Sequence, residues 1–248
     1  MRLFVALVCL GAAATSAIPQ AQTVIAAGRF SALKADGSLP PEWKPLTFRK
    51  VERQTRYTLV SEGGVTVLKA ESAGSASGLM RRFDERVVEL KDFPILRWRW
   101  KIGALVKGAD INSREGDDYP ARVYVMFRYD PNRPGIGAGM RMQYGLAKSL
   151  YGEYPPHAGL NYVWDGRAPA GTMLPNAYTA RAMMFVVESG AARVGEWVSV
   201  ERDVYADYRR AFREEPPPVA GIAVMTDTDQ TGESAVAWYG DIELRARP

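Results

Sequence analysis

Two short loops concentrate the carboxylates whose spacing could support chemistry. In TDTDQTGE, Asp227, Asp229 and Gly232 occupy the first, third and sixth places of an EF-hand calcium loop. The twelfth place requires a glutamate, but here it is Trp238, inside a predicted strand. We expect the loop to be a hairpin between two antiparallel strands of the sandwich, with Gly232 supplying the turn through a positive φ. It is either an irregular calcium site built on Asp227 and Asp229 or only a structural turn.

The second acidic loop is ADINSREGDDYPAR, which contains the adjacent residues Asp117 and Asp118. In extended backbone, neighbouring side chains point to opposite sides, so one of the two is expected to face a site. Paired with Asp227 or Asp229, it would give the two carboxyl groups that a glycoside hydrolase needs. Like charges gathered at one rim require compensation, for which we favour Arg122 over a calcium ion.

The sequence lacks the residues that several other types of catalytic or binding site require. The chain has one histidine, His157, which excludes a zinc site with two or more histidines. No G-x-S-x-G nucleophile turn and no G-x-x-x-x-G-K-[ST] phosphate loop occur. The one cysteine, Cys9, lies in the N-terminal leader, so a cysteine nucleophile is not expected.

The N-terminus has the pattern of a secretory signal peptide. Arg2 is followed by an apolar stretch from Leu3 to Ala14, which is too short for a lasting membrane anchor. Small residues then favour cleavage after Ala17, which makes residues 1–17 the predicted signal. We expect a soluble, monomeric periplasmic protein without disulfides and without a transmembrane segment after processing.

The charge of the chain limits its partners. Lys and Arg number 32 against 28 Asp and Glu, giving a formal net charge of +4 with the basic residues scattered. Scattered charge and export both argue against nucleic acid. A carbohydrate or an acidic small molecule remains as the expected ligand.

Alternation of apolar and polar residues predicts strands along most of the chain. The predicted strands cover residues 65–70, 95–102, 121–127, 180–188, 197–204, 219–227 and 235–244, with shorter ones in YTLV and SGLMRRF. Two segments are helical instead, GMRMQYGLAKSLYG and DVYADYRRAFREEPPP. The pattern favours an all-β fold over residues 24–248: one antiparallel two-sheet β-sandwich of jelly-roll type, with one or two short inserted helices.

The same alternation assigns side chains to faces. In RWRWKI, Trp98 and Trp100 share one face, while Arg97 lies on the other. In ARVYVMFRY, Arg122 and Tyr124 lie opposite the valines. If the two strands pair, Arg97, Arg122 and Tyr124 form one basic face for an acidic or hydroxyl-rich ligand. The alternative is a solvated face neutralised by acids on neighbouring strands.

Two aromatic residues are candidates for a pocket wall. GLNYVWDGRAPAGTMLPNAY places Trp164 at a strand end beside a long polar loop, with Tyr162 two residues earlier. Rings at the end of a strand can line a ligand pocket. We therefore include Tyr162 and Trp164 among the predicted binding residues.

Several segments together resemble an exported bacterial family called domain of unknown function 3047. They are LPPEWKPLTF, FPILRWRWKI, GDDYPARVYVMF, LNYVWDG, VERDVYADYRRAF and GIAVMTDTDQTGESAVAWYGDIEL. The resemblance spans roughly residues 27 to 245, and the family pattern has Asp-Asn-Thr where this chain has Asp229-Gln230-Thr231. It implies fold and compartment but no activity. The closing YGDIEL also looks like the last strand of galactose-binding-like jelly rolls.

The sequence therefore predicts an exported envelope protein that binds a carbohydrate or another anionic or hydroxyl-rich ligand without catalysis. The alternative is a carbohydrate-active hydrolase or lyase that uses the carboxylates of the acidic loops.

Overall fold

The structure, a computed structural model, describes residues 23–151 and 154–247, and strands are its main regular secondary structure. These residues form thirteen strands: β1 Val24–Gly28, β2 Trp43–Leu46, β3 Arg56–Glu62, β4 Val65–Ala73, β5 Gly78–Arg82, β6 Ile95–Ile102, β7 Arg122–Phe127, β8 Ala158–Asp165, β9 Met173–Asn176, β10 Thr179–Ser189, β11 Val198–Asp203, β12 Val219–Met225 and β13 Ser234–Arg245. They also form two α-helices, α1 Ala138–Tyr151 and α2 Val204–Phe212.

The strands form two sheets, which confirms the predicted β-sandwich. The six-stranded sheet has the order β11-β6-β13-β4-β3, with β1 paired to β13. The seven-stranded sheet has the order β2-β5-β12-β7-β8-β10-β9. The strand pairs are antiparallel except one, because β8 and β10 run parallel. Between them the chain passes through β9, which pairs on the far side of β10.

The core lies between the sheets and is rich in aromatic rings. Trp98 and Trp100 are buried, as the alternation in β6 predicts. The ring of Trp98 lies 5.4 Å from that of Tyr162, and the rings of Trp100 and Trp164 lie 6.1 Å apart. These contacts join β6 of one sheet to β8 of the other, so burial of these rings holds the sheets together.

The predicted shared basic face is wrong, because β6 and β7 lie in different sheets. Trp98 of β6 and Val123 of β7 both point into the core, so the opposite faces of these strands form opposite outer surfaces. On the six-stranded sheet, Arg97 lies beside Glu201 at 3.7 Å. The strands next to β6 supply acids, as the alternative of a solvated, neutralised face expected. Arg97 therefore lies on a different surface from Arg122 and Tyr124.

The predicted pocket wall of Tyr162 and Trp164 is also wrong. Both side chains are fully buried between the sheets. The hydroxyl of Tyr162 donates to Asp207 Oδ2 at 2.9 Å, and Trp164 Nε1 donates to the carbonyl of Gly190 at 3.1 Å. Both polar groups are satisfied inside the protein, so these rings have a packing role.

The two predicted helices are present. Asp203 caps α2 by accepting the amide of Ala206 at 2.9 Å, and Tyr208 is among the α2 residues that are buried. In α1, Tyr144 stacks on Tyr129 at 4.0 Å between ring centroids, while the apolar residue Met142 is 76% exposed.

The predicted signal peptide, residues 1–17 with Cys9, lies outside the described residues. Within the part of the chain that the structure describes, no helix is long and apolar enough to cross a membrane.

Candidate functional site

The loop TDTDQTGE crosses from one sheet to the other. It follows β12 of the seven-stranded sheet and precedes β13 of the six-stranded sheet. The predicted hairpin is therefore wrong, since the two strands do not pair. Gly232 has the predicted positive φ, +71°, which a residue with a side chain rarely adopts.

The two acidic loops meet at this end of the sandwich. Asp118 is fully buried, and its two carboxylate oxygens accept the backbone amides of Gln230 at 3.3 Å and Thr231 at 2.6 Å. Oxygen atoms of Asp118, Asp227 and Asp229 lie within 4.8 Å of one another. The predicted gathering of acids at one rim is thus present, with Asp118 holding the crossing loop through its backbone.

Arg122 compensates this cluster, as the sequence led us to favour. Its Nε donates to Asp227 Oδ1 at 2.8 Å, and its Nη2 donates to Asp227 Oδ2 and to the carbonyl of Asp117. Its Nη1 lies 3.4 Å from Asp117 Oδ1 and 3.2 Å from the hydroxyl of Tyr124. The guanidinium also lies 4.3 Å from the ring centre of Tyr119. A planar fork bound on two sides in this way is fixed in position.

Burial sets the electrostatics of the pair. Burial raises the pKa of Asp227 to about 8, against the opposing effect of the Arg122 guanidinium. Burial is the largest single effect and by itself lowers the pKa of Arg122, but the acidic groups around it, Asp227 first among them, together outweigh burial and the pKa is raised overall. Burial likewise raises the pKa of Tyr124 to about 12.

A cavity of about 430 Å³ lies over this ion pair, on the outer face of the seven-stranded sheet. We call it the Asn161 pocket. Its lining combines aromatic and apolar side chains with amides and charged groups: Phe48, Lys50, Val51, Ala76, Asp117, Arg122, Tyr124, Asn161, Asn176, Tyr178, Ala182, Met225, Asp227, Asp229 and Gln230. Such a mixture is typical of small-molecule sites.

Asn161 is the unusual member of the lining. Its side chain is 1% exposed, and its Nδ2 lies 3.1 Å from the sulfur of Met184. Its Oδ1 is buried and has no hydrogen-bond partner among the described residues. A buried acceptor without a donor costs free energy, and Asn161 lies in the pocket wall, so a ligand hydroxyl that reached this oxygen would remove that cost.

The polar rim of the pocket is also ordered. Asn176 Nδ2 lies 3.4 Å from both carboxylate oxygens of Asp117, which orients this acid. Tyr178 is 52% exposed and Phe48 is 40% exposed, so both rings are available for contact with a ligand.

The structure thus brings together five of the predicted site residues, which are Asp117, Arg122, Tyr124, Asp227 and Asp229. Asp118 lies next to the pocket and holds the crossing loop through backbone amides. The other three predicted residues, Arg97, Tyr162 and Trp164, lie elsewhere in the structure. The lining residues that were not predicted include Asn161, Asn176, Tyr178, Phe48 and Met225. The available signal for Asn161 was a single amide inside an otherwise apolar strand.

The acidic cluster is already occupied by protein donors. Both oxygens of Asp118 accept amides, and both oxygens of Asp227 accept from Arg122. Asp229 accepts the side-chain amide of Gln230 at 2.8 Å. Trp238 lies in β13, so the EF-hand pattern does not continue. A cation at this position would have to compete with these donors for the carboxylate oxygens.

Comparison with known proteins identifies the family. The model of a family described as "Protein of unknown function (DUF3047)" matches residues 41–243. The chain belongs to this family. No curated protein matches the chain in sequence.

Among solved structures, the chain is similar to the family 11 carbohydrate-binding module of Clostridium thermocellum in complex with a beta-1,3-1,4-mixed-linked tetrasaccharide. The sequence identity is 10% and the TM-score is 0.42, and the alignment covers 92% of this chain and 98% of that one. The carbohydrate recognition domain of Emp47p gives 11% identity, TM-score 0.45, and coverage of 92% and 99%. Structural similarity at this level does not indicate which ligand this chain binds.

The Arg122–Asp227 pair should dominate the stability of this end of the sandwich. Arg122→Met should lower the free energy of unfolding by about 3–5 kcal/mol, because Asp227 would remain buried without its partner. The loss of unfolding free energy caused by Arg122→Met should grow with pH. Removal of Arg122 should raise the pKa of Asp227 above the value of about 8 that it has with Arg122 present. Above about pH 8 the native chain therefore stops losing stability through this group, while the variant continues to lose it. Urea unfolding at about pH 5 and pH 9 measures this difference.

The matched control is Arg56→Met, since Arg56 is 75% exposed and lies 4.0 Å from Glu71. Its effect should stay within about 1 kcal/mol at both pH values. If Arg122→Met does not fold, Arg122→Met/Asp227→Asn removes both charges and should recover folding. Equal losses in Arg122→Met and Arg56→Met would contradict the assignment.

Calcium should not stabilise the protein. Because Arg122 and backbone amides already occupy the carboxylates, we expect the same melting temperature in calcium and in chelator, for the native chain and for Asp229→Ala. A calcium site filled at about one hundred times its Kd would instead add about 2.7 kcal/mol of stability. A calcium-dependent rise in melting temperature that Asp229→Ala abolishes would replace the arginine account with a metal site.

Proposed function

We propose that the chain binds a neutral, hydroxyl-rich carbohydrate in the Asn161 pocket without changing it chemically. The observation that carries this proposal is the unpartnered Oδ1 of Asn161, buried at the wall of a cavity of about 430 Å³. A sugar hydroxyl can donate to this oxygen and remove the cost of leaving it unpaired. The exposed rings of Tyr178 and Phe48 offer apolar faces to the C–H groups of a sugar ring.

The charges of the pocket favour a neutral ligand over an acidic one. Three acids line it, Asp117, Asp227 and Asp229, against two cations, Arg122 and Lys50. The guanidinium of Arg122 already binds Asp227 and Asp117, so it is not available to a ligand carboxylate. An anionic ligand would meet the carboxylates of Asp117 and Asp229 without a free arginine, whereas hydroxyl groups can donate to these two carboxylates and accept from the amide of Asn176.

The carboxyl groups have roles that suit binding better than hydrolysis. A glycoside hydrolase requires one carboxyl that gives up a proton and a second that acts as base or nucleophile. The raised pKa of Asp227 is the feature that favours a hydrolase, since general acids have this property. However, both oxygens of Asp227 are bound to Arg122, which leaves this acid no free oxygen to present to a glycosidic bond.

We also propose that the protein acts in the periplasm. The support for this compartment is the predicted signal peptide at residues 1–17. An envelope location would place the pocket among polysaccharides, which agrees with a hydroxyl-rich ligand.

Asn161→Leu should separate binding from stability. Leucine has a similar size but no acceptor, so it removes the buried unpaired oxygen, and the melting temperature should rise. The same change should weaken carbohydrate binding by at least about tenfold, the factor expected for loss of about one hydrogen bond. Both quantities are measured on purified protein lacking residues 1–17, with a glycan array for binding and a thermal scan for stability.

The control is Asn132→Leu, which changes an exposed asparagine in the loop after β7. It should leave binding unchanged. Failure of the native protein to bind any glycan on the array would overturn the proposal, as would equal binding by Asn161→Leu. Release of reducing ends from a bound glycan, lost in Asp227→Asn, would establish the hydrolase instead.

A further inference from the structure

A second cavity opens on the same outer face of the seven-stranded sheet. It has a volume of about 350 Å³, and we call it the Met126 pocket. Its lining includes two methionines, two arginines and two tyrosines, which are Met80, Met126, Arg82, Arg128, Tyr129 and Tyr154. The hydroxyl of Tyr129 is buried and has no hydrogen-bond partner within the described part of the chain. This pocket therefore repeats the combination of apolar surface and an unpaired buried polar atom.

The strand register shows how the two pockets are related. One row across the sheet consists of paired residues from four strands, Met80, Ala223, Tyr124 and Asn161. The next row consists of Arg82, Gly221, Met126, Gly159 and Ala182. Successive residues on one face of a strand are about 7 Å apart, so these rows are direct neighbours.

Each pocket reaches into the row of the other. Ala182 lines the Asn161 pocket but belongs to the Met126 row, and Met80 lines the Met126 pocket but belongs to the Asn161 row. The two cavities share no lining residue, but they lie in adjacent rows of the same sheet face and extend past each other on the two sides of β7.

Small residues lie between the two pockets at two positions. Ala223 and Gly159 lie in the two rows on either side of β7. At Gly159, an added Cβ would meet one neighbouring atom, the carbonyl oxygen of Val125 at 3.9 Å, so the space above it is open. Small residues on a sheet face allow another chain to approach closely.

We infer that the two pockets form one groove along β7 that holds an extended glycan of several sugar residues, with the Met126 pocket as a second subsite. This inference rests on the proposed carbohydrate function. Met80 and Met126 provide an apolar floor for sugar rings, and Tyr129 provides an unpaired hydroxyl for a sugar oxygen or hydroxyl. A ligand that fills both subsites gains contacts that a single sugar cannot make.

The test is the dependence of affinity on glycan length. The probes are oligosaccharides of about two and about six residues with glucan, mannan, xylan and galacturonan backbones, titrated into the purified protein by calorimetry. For at least one backbone, the longer oligosaccharide should bind at least about tenfold more tightly, a difference that one further occupied subsite can supply.

Gly159→Leu places a side chain in the middle of the groove, where the structure has open space, so the fold should be retained. It should reduce affinity for the six-residue glycan to that of the two-residue glycan and leave the short one unaffected. Asn161→Leu, in contrast, should weaken both lengths. The matched control is Gly145→Leu on α1, where an added Cβ also meets open space and no change in affinity is expected.

The two proposals fail in different ways. No binding by any oligosaccharide or array glycan would defeat the carbohydrate function itself. Binding that is independent of length, or a six-residue affinity that Gly159→Leu leaves unchanged, would defeat the groove while keeping the function.

Discussion

The buried ion pair of Arg122 and Asp227 is the interaction on which this end of the sandwich depends. It links the first residue of β7 to the loop that crosses between the sheets. Both side chains are almost fully buried, so neither charge is tolerable without the other. The pair also fixes the chemistry of the cavity above it. Because the cation is already bound by carboxylates, the pocket has no free strong anion binder at its base and presents amides, hydroxyls and rings instead.

The sequence predicted those features that depend on one strand or one turn. Alternation in β6 correctly buried Trp98 and Trp100, and a glycine after two acids correctly predicted the positive φ of Gly232. It did not reveal which strands are neighbours. Alternation assigns a side chain to a face but does not determine which sheet the strand joins. For this reason Arg97 was grouped with Arg122, and the crossing loop was taken for a hairpin.

The sequence predicted the charged residues of the candidate site. The clustering of Asp117 and Asp227 around Arg122 follows from the need to compensate like charges. The residues of β8 were assigned the wrong roles because nearly the whole strand is buried, which removes the alternation that distinguishes its two faces. Tyr162 therefore looked like a pocket wall, whereas its neighbour Asn161 carries the unpaired acceptor.

The most direct test of the account is to follow the methionine methyl groups by NMR while adding the oligosaccharide that binds best on the array. Met225 and Met126 line the groove, whereas Met142 is exposed on α1 and Met183 packs in the core. Binding in the groove should shift the signals of Met225 and Met126 and leave those of Met142 and Met183 unchanged. A shift at Met142 with none at Met225 would place the ligand on another surface and contradict the central claim.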